Sequence, residues 1–514
     1  MTNKTRGSSF FRNTLTQTGG RLFYLLSRVG LPPLILHYVS LEEYGLWSTC
    51  FLLISYISMG TFGVSNVYIR SVAEYIAKNQ IDAINGLIST GLTLTFIFSA
   101  CALGGIWYAM PVILSNFNVA PALQETARLL ILGTLATMLL DMTLGAFAHV
   151  MYGLQKIEQQ TVVWIISFTL ETALMVGLLI YGYGMWSLLW AFVIRYAFSI
   201  TTNIILCYRY IPGLHIGFTQ IKGKFFKQFL HYGGILQLNG LLSVFMYSIE
   251  RVIAGNLTGL TAVAVLDLGQ KFPVMASQVF SSMNGNFLPA ITEAHSLGQR
   301  QDIERLYTQG LRYLSLLNGL AMGFLAPFSG WLLTMWLGHG DHLENTIMVM
   351  ICACVGYQLN VITGPLSAYY QGINQPARTF SYLIWQAFFV LLGLFLVWRY
   401  YSFDDVVVVV EIVMIARVLS SLIYLFSGNR ELGLKHWRLI VLVLLPGAMP
   451  YAWGYGIMTL VQPYLVEFNP DRWSLLGILG GIGVVYTVLT CICFYLIFCR
   501  SAEKAVIRAK LRRG

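Results

Sequence analysis

The chain has 514 residues, of which 57% are hydrophobic and only 11% charged, with a formal net charge of +10. Soluble domains average about 25% charged residues, so most of this chain is expected to avoid water. Its apolar runs suit helices that cross a hydrocarbon core of about 30 Å and are too long for barrel strands of roughly 10 residues, which leaves helices as the spanning element.

At the N-terminus, residues 1–18 read as a cytoplasmic segment. Lys4, Arg6, Arg12 and Arg21 surround the start of the first apolar run, with no small-residue cleavage site, so the first span is expected to act as the insertion signal. Fourteen spans are expected, at 19–40, 44–68, 84–109, 125–150, 159–182, 185–208, 230–255, 260–287, 305–337, 345–370, 378–399, 405–427, 438–462 and 474–499. The first six form an N-lobe, 19–210. Residues 211–229 form a basic amphipathic linker, with Phe218, Ile221, Phe225 and Phe226, expected to lie on the cytoplasmic surface. Spans seven to twelve form a C-lobe, 230–428. Spans thirteen and fourteen occupy 429–500, and 501–514 is a basic cytoplasmic tail.

Lys and Arg concentrate on the cytoplasmic side of membrane proteins. With both termini inside, 24 of the 32 bases fall in cytoplasmic segments, Arg312 among them. The opposite loops hold only Arg399 and Arg472. The net charge is therefore a topology signal and does not point to nucleic acid. Trp107, Trp186, Trp336, Trp398 and Trp473 lie near the outer loops, as interfacial belts do. Cys352/Cys354 and Cys491/Cys493 are two apart, on nearly opposite helix faces, and read as packing residues rather than metal ligands. Gly477/Gly481 reads as helix packing.

An internal repeat runs at an offset of 219 residues. Glu74 falls on Glu293, Ile84 on Ile303, Leu87 on Leu306, Gly91 on Gly310, Leu92 on Leu311 and Gly153 on Gly372. Each unit contains six helices, an even number, so the two units share one orientation. Transporters built from such repeats place substrate between them and rock one against the other.

A charge at a helix centre costs roughly 2.5–3.5 kcal/mol on insertion scales and usually faces a cavity or a partner. Asp267 and Lys271 are four apart and can neutralise each other on one helix. Arg251, beside Glu250, can snorkel from the end of span seven. Arg28, Arg195 and Arg417 lie near mid-depth with no acid three or four residues away. They either bind phosphate through paired hydrogen bonds or partner Asp141, Glu171 or Glu411 across helices. Pro32 and Pro33 are expected to break span one.

The stretch EEYGLW…GVSNVYIRSVAEYIAK resembles the second span and following loop of bacterial polysaccharide exporters. So does SIERVIAGNLTGLTAVAVLDLGQKF…FLPAITEAHSLGQRQDIERLY, followed later by WLLTMWLG. The resemblance, over about residues 15–430, is to the O-antigen and exopolysaccharide flippases of the multidrug/oligosaccharidyl-lipid/polysaccharide exporter superfamily. It implies an all-α integral membrane fold of two parallel-repeat six-helix lobes in a V plus two C-terminal helices. It also implies a monomer that moves an undecaprenyl-diphosphate-linked oligosaccharide from the cytoplasmic to the periplasmic leaflet of a bacterial inner membrane. Polysaccharide polymerase and export machinery are the implied partners. The diphosphate and sugar would then meet Arg28, Arg195 and Arg417, helped by Arg251 or Lys271. Proton or sodium coupling is implied, with Asp141, Glu171 and Asp267 as candidates by location; no other cofactor is expected.

Three other readings compete. A multidrug or metabolite cation antiporter of the same fold would favour an acidic, aromatic pocket. A peptidoglycan-precursor flippase is a second, since SRVGLPP partly matches the first-span arginine of those relatives. An enzyme needs catalytic groups in a large outer loop, and the longest here is about 15 residues. No GxxxxGK[ST] phosphate loop occurs, which counts against an ATP-driven pump.

Overall fold

A computed structural model of the protein describes residues 29–58, 64–373, 375–400, 406–468, 470–498 and 504. Expectations for 1–18, Arg28 and nearly all of the tail 501–514 fall outside the described residues. Among the described residues the regular structure is helical throughout, with no strand. In chain order the helices are α1 (Val29–Tyr38), α2 (Leu41–Ser58), α3 (Val64–Ala77), α4 (Ile81–Asn116), α5 (Gln124–Leu144), α6 (Ala146–Gly153), α7 (Ile157–Ile180), α8 (Met185–Tyr210), α9 (Gly223–Thr258) and α10 (Leu260–Ser281). There follow α11 (Phe287–Ser296), α12 (Arg300–Leu325), α13 (Ser329–Leu337), α14 (Leu343–Ile362), α15 (Gly364–Gly372), α16 (Phe380–Tyr400), α17 (Val406–Glu431), α18 (His436–Leu439), α19 (Leu445–Phe468) and α20 (Arg472–Ile497).

Each expected span coincides with one or two of these helices. Eight described helices combine the length and apolarity needed to cross a membrane, or nine if the bent pair α12 and α13 is one span. The lipid-facing side is plain on α16, where Ile384, Phe388, Leu391 and Phe395 are all more than half exposed and recur along one face. A stripe of that kind is stable only against hydrocarbon. Within the spans, hydroxyls that would otherwise face lipid donate back to carbonyls one turn earlier, as Thr90 does to Gly86 and Thr95 to Gly91. The protein is a multi-pass helical membrane protein.

The chain divides into two compact units, Met1–Ala264 and Val265–Gly514. This division places span seven in the first unit, because α9 packs on α2, α3 and α4. The expected C-lobe start at 230 therefore differs from the contact boundary.

The 219-residue repeat is visible in the helices themselves. α2 and α10 begin at Leu41 and Leu260, α4 and α12 at Ile81 and Arg300, and α5 and α14 at Gln124 and Leu343. Each pair is 219 apart. The turn between α3 and α4 passes through left-handed Asn79 (φ 52°), and its counterpart through Gly298 (φ 68°), the residue types that enter that region most readily. Packing repeats as well. A Cβ on Gly91 would meet the Tyr68 ring, and one on Gly310 would meet Phe287, 219 residues on from Tyr68. Gly153 lies against Val72, and Gly372 against Ile291, again at the same offset.

Four local expectations are corrected. The linker does not lie free on a surface. Ile211, Leu214, Phe225 and Phe229 are buried in a core cluster with Tyr68, Ile84 and Leu87, because α9 already begins at Gly223 and presents its first turns to α4. Helix α1 runs through Pro32 and Pro33 without interruption over its described length. Span nine is not one straight rod. α12 stops at Leu325 and the axis turns by 63° into α13, at the Pro327 that removes a backbone donor. Gly477 and Gly481 face open space, whereas Gly319 and Gly323 on α12 meet the backbone of Gly447 and Pro450–Tyr451 on α19. Of the tryptophans, Trp107, Trp398 and Trp473 are exposed, but Trp336 is buried against Phe272.

Candidate functional site

In the first unit, α7 and α8 form an antiparallel hairpin. Its turn, Tyr181–Gly184, needs two left-handed glycines, Gly182 (φ 84°) and Gly184 (φ 53°). Glu171 and Arg195 lie nine and ten residues from the helix ends at that turn, so both sit about 14–15 Å from it at 1.5 Å per residue. That is half of a hydrocarbon core of about 30 Å. The two side chains meet there: Arg195 Nη1 donates to Glu171 Oε2 at 2.7 Å, with 11% and 5% of the side chains exposed. The guanidinium lies 4.9 Å from the Tyr196 ring centroid and 5.3 Å from that of Phe168. Asp141, on α5, is close enough to act on Arg195 electrostatically. Three of the expected site residues thus form one cluster of two acids and one base. Periodicity could not join them, because they come from three helices.

At the repeat-equivalent positions the second unit is neutral. Asp141 corresponds to Asn360, Glu171 to Val390 and Arg195 to Met414. Asn360 donates to the Tyr382 hydroxyl at 2.8 Å, and Val390 and Met414 are buried. Arg417 sits one turn after Met414. It is 0% exposed, with Nη1 3.5 Å from Met414 Sδ and its guanidinium 4.5 Å from the Tyr357 ring centroid. Cation–ring contacts of this kind strengthen when desolvated. Arg195 and Arg417 are therefore not equivalent: one is salt-bridged to an acid, the other packed among sulfur and aromatic surface.

The remaining expected residues are separate. Lys271 pairs with Asp267 on α10 at 3.0 Å, the i,i+4 pairing expected from their spacing. Arg251 is half-buried on α9, beside fully buried Glu250, and both act on the Tyr56 hydroxyl of α2. One buried base was missed. Arg312 was counted with the cytoplasmic loops, but it is 2% exposed within α12, between the rings of Tyr313 and Phe494. The repeat carries the signal, since Arg312 falls on Thr93, well inside α4.

A sequence profile of the polysaccharide biosynthesis proteins matches residues 10–295, more than half of the chain. The chain belongs to the polysaccharide biosynthesis protein family. Solved structures place the fold of this family member among MOP-superfamily transporters. The lipid II flippase MurJ, in an inward closed conformation, is similar at a TM-score of 0.69 and 14% identity, over 94% of this chain and 98% of that one. A multidrug resistance MATE transporter, inward-facing, is similar at 0.65 and 14%, over 80% and 94%. A MOP-superfamily transporter from Pyrococcus furiosus, described by a reversed polarity of its binding pocket, is similar at 0.54 and 14%, over 82% and 93%. No curated protein matches the chain in sequence.

Proposed function

We propose that this protein is a flippase, not an enzyme. Its substrate is an undecaprenyl-diphosphate-linked oligosaccharide, the repeat unit of an O-antigen or exopolysaccharide. It carries that lipid from the cytoplasmic to the periplasmic leaflet of a bacterial inner membrane by alternating access, with both termini cytoplasmic and all fourteen spans in place. The observation that carries this reading is the duplicated six-helix transporter architecture in a member of the polysaccharide biosynthesis family.

The arginines supply the chemistry. A diphosphate is best held by guanidinium groups, which offer paired donors in a fixed plane. Arg417, Arg251 and Arg28 serve in this role, while Arg195 and Lys271 are held by acids and serve only when those acids let go. That exchange suggests the coupling. Asp267 is matched one-to-one by Lys271, whereas Asp141 and Glu171 share a single guanidinium. A surplus carboxylate in a low-dielectric place is neutralised by a proton or a sodium ion. Phosphate that draws Arg195 away raises that demand, and so links substrate to ion. Asp141 and Glu171 are accordingly the coupling acids.

Replacing Arg417 or Arg195 by Lys keeps the charge and removes the paired geometry. Each change is expected to reduce glycan export about tenfold or more, the loss of one charge-assisted hydrogen bond of roughly 1.5–3 kcal/mol, at wild-type abundance in the membrane. Export at the wild-type rate by both variants contradicts the assignment. Drug resistance on overexpression, with no glycan defect in a deletion strain, would favour the multidrug or metabolite antiporter instead. Accumulation of the peptidoglycan precursor would favour that substrate.

A further inference from the structure

The repeat also predicts which surfaces of the two units correspond, and one pair does not behave alike. On α4 the face carrying Asn85, Gly86, Ser89 and Thr90 is covered by the chain that leaves α8. Asn85 Nδ2 donates to the Gly213 carbonyl and its Oδ1 accepts from the His215 N–H, both at 3.1 Å. Ser89 accepts from the Gly217 N–H at 3.2 Å and Thr90 from the Lys222 N–H at 3.1 Å. A Cβ on Gly86 would collide with Phe225. The connection 211–222 is long enough to run along this groove and close it.

The corresponding face of α12 carries Glu304, Arg305, Thr308 and Gln309, with Arg312 one turn further on. Here α17 ends at Glu431 and α18 begins at His436. The connection 432–435 is too short to follow the helix. The groove is left as a cavity of about 200 Å³. Its far wall comes from the C-terminal end of α17 and from the π-helical turn Ile440–Leu444, through Asn429 and Val443. Such turns inside α-helices are frequent at functional sites. This one is held in place by Ser315, whose hydroxyl donates to the Val443 carbonyl at 2.6 Å.

The lining has a definite charge. Glu304 is balanced by Arg300, at 3.4 Å. Arg305 and Arg312 remain as the cations that set the sign of the cavity. Arg312 is 2% exposed and clamped between two rings, which fixes its guanidinium plane and directs its hydrogen bonds from the edges. Tyr307, fully buried, donates to Asn429 Oδ1 at 3.2 Å and so orients that amide at the wall. The depth is also defined. Arg300, Asp302, Glu304 and Arg305 fall in the first two turns of α12, too many charges for hydrocarbon, so the cavity lies at head-group level. The volume is below the roughly 300–1,000 Å³ of drug-sized sites and suits a small anionic group.

We propose that this cavity between α12, the end of α17 and the π-turn binds a phosphate group, held by Arg312 and Arg305. The ligand is the head group of an anionic phospholipid, or free phosphate with the same chemistry. The site is separate from the transport path proposed above, and its test reads binding rather than flipping, so either proposal can fail alone.

The experiment uses the full-length protein in detergent. Retention of phosphatidylglycerol and of phosphatidylcholine is measured by native mass spectrometry, and the thermal midpoint is followed with each lipid and with inorganic phosphate. Wild-type protein is expected to retain one phosphatidylglycerol at least fivefold more tightly than phosphatidylcholine. Arg305→Gln, at an exposed and tolerant position, and Arg312→Gln should each remove that preference; Arg430→Gln, outside the cavity, should keep it. The preference should weaken as salt is raised. A rise in midpoint with phosphate alone, lost in Arg305→Gln, supports the phosphate chemistry and assigns it to the soluble anion. Equal retention of both lipids by wild type and Arg305→Gln, with no effect of phosphate, overturns the proposal. Arg305→Gln keeps the test decisive if Arg312→Gln does not fold.

Discussion

Arg195→Ala is expected to destabilise the first unit by about 3–5 kcal/mol, the usual cost of breaking a buried ion pair from one side. Glu171 would be left 4% exposed at mid-span with its 2.7 Å donor gone, and Asp141 would lose the same guanidinium. Removing the whole cluster should behave differently. The second unit shows what the fold accepts in its place: Asn360, Val390 and Met414 stand where Asp141, Glu171 and Arg195 do, and the helices around them match in start and packing. The triple change Asp141→Asn, Glu171→Val, Arg195→Met exchanges a buried ionic group for a neutral one of known fit, which is often neutral or stabilising. Its thermal midpoint in detergent should return close to that of wild type while transport is lost. A stable Arg195→Ala protein would contradict the structural part of this expectation. A triple variant that transports normally would remove the cluster from the mechanism.

The second large effect is steric. Helices α12 and α19 cross backbone to backbone through small residues. A Cβ on Gly454 would lie 2.0 Å from the Gly323 carbonyl oxygen, and one on Gly319 2.5 Å from that of Gly447. Neither obstacle is a side chain that can swing aside, so the helices must separate. Gly454→Leu should cost about 3 kcal/mol, the upper end of ordinary overpacking, and is expected to lower the yield of monodisperse protein and its thermal midpoint. Gly477→Ala and Gly481→Ala on α20 meet nothing within 4 Å. They should change stability by no more than about 0.5 kcal/mol. Equal effects at Gly454 and Gly477 would place the α12–α19 contact in doubt.

Much of this architecture was readable before any coordinates, because the bilayer imposes it. Length and apolarity mark the spans, and the constant offset marks the duplication; Leu41 and Leu260 show how closely the helix starts obey it. The failures share a cause, namely interactions between segments far apart in sequence. Phe225 and Phe229 read as the apolar face of a surface helix, but α4 offered a better partner than lipid head groups. Arg312 read as a loop charge because its neighbours are polar, although the repeat had placed its position inside a span. The bend after Leu325 had a local sign in Pro327. Of the site, the Asp267–Lys271 pair was legible from a spacing of four, while the pairing of Arg195 with Glu171 needed the hairpin to be folded. Arg195 and Arg417 looked like counterparts three residues out of register. The offset instead sets Arg195 on Met414, so each unit carries its own arrangement.

The most direct test is translocation itself. Purified full-length protein is reconstituted into liposomes with an undecaprenyl-diphosphate-linked oligosaccharide, and the sugar in the outer leaflet is consumed with a membrane-impermeant reagent. Wild-type protein under a proton or sodium gradient should bring the lumenal sugar to the reagent over time, and the Asp141→Asn, Glu171→Val, Arg195→Met variant should leave it protected. A lumenal pool that stays protected with wild-type protein under either gradient would contradict a flippase of lipid-linked sugar.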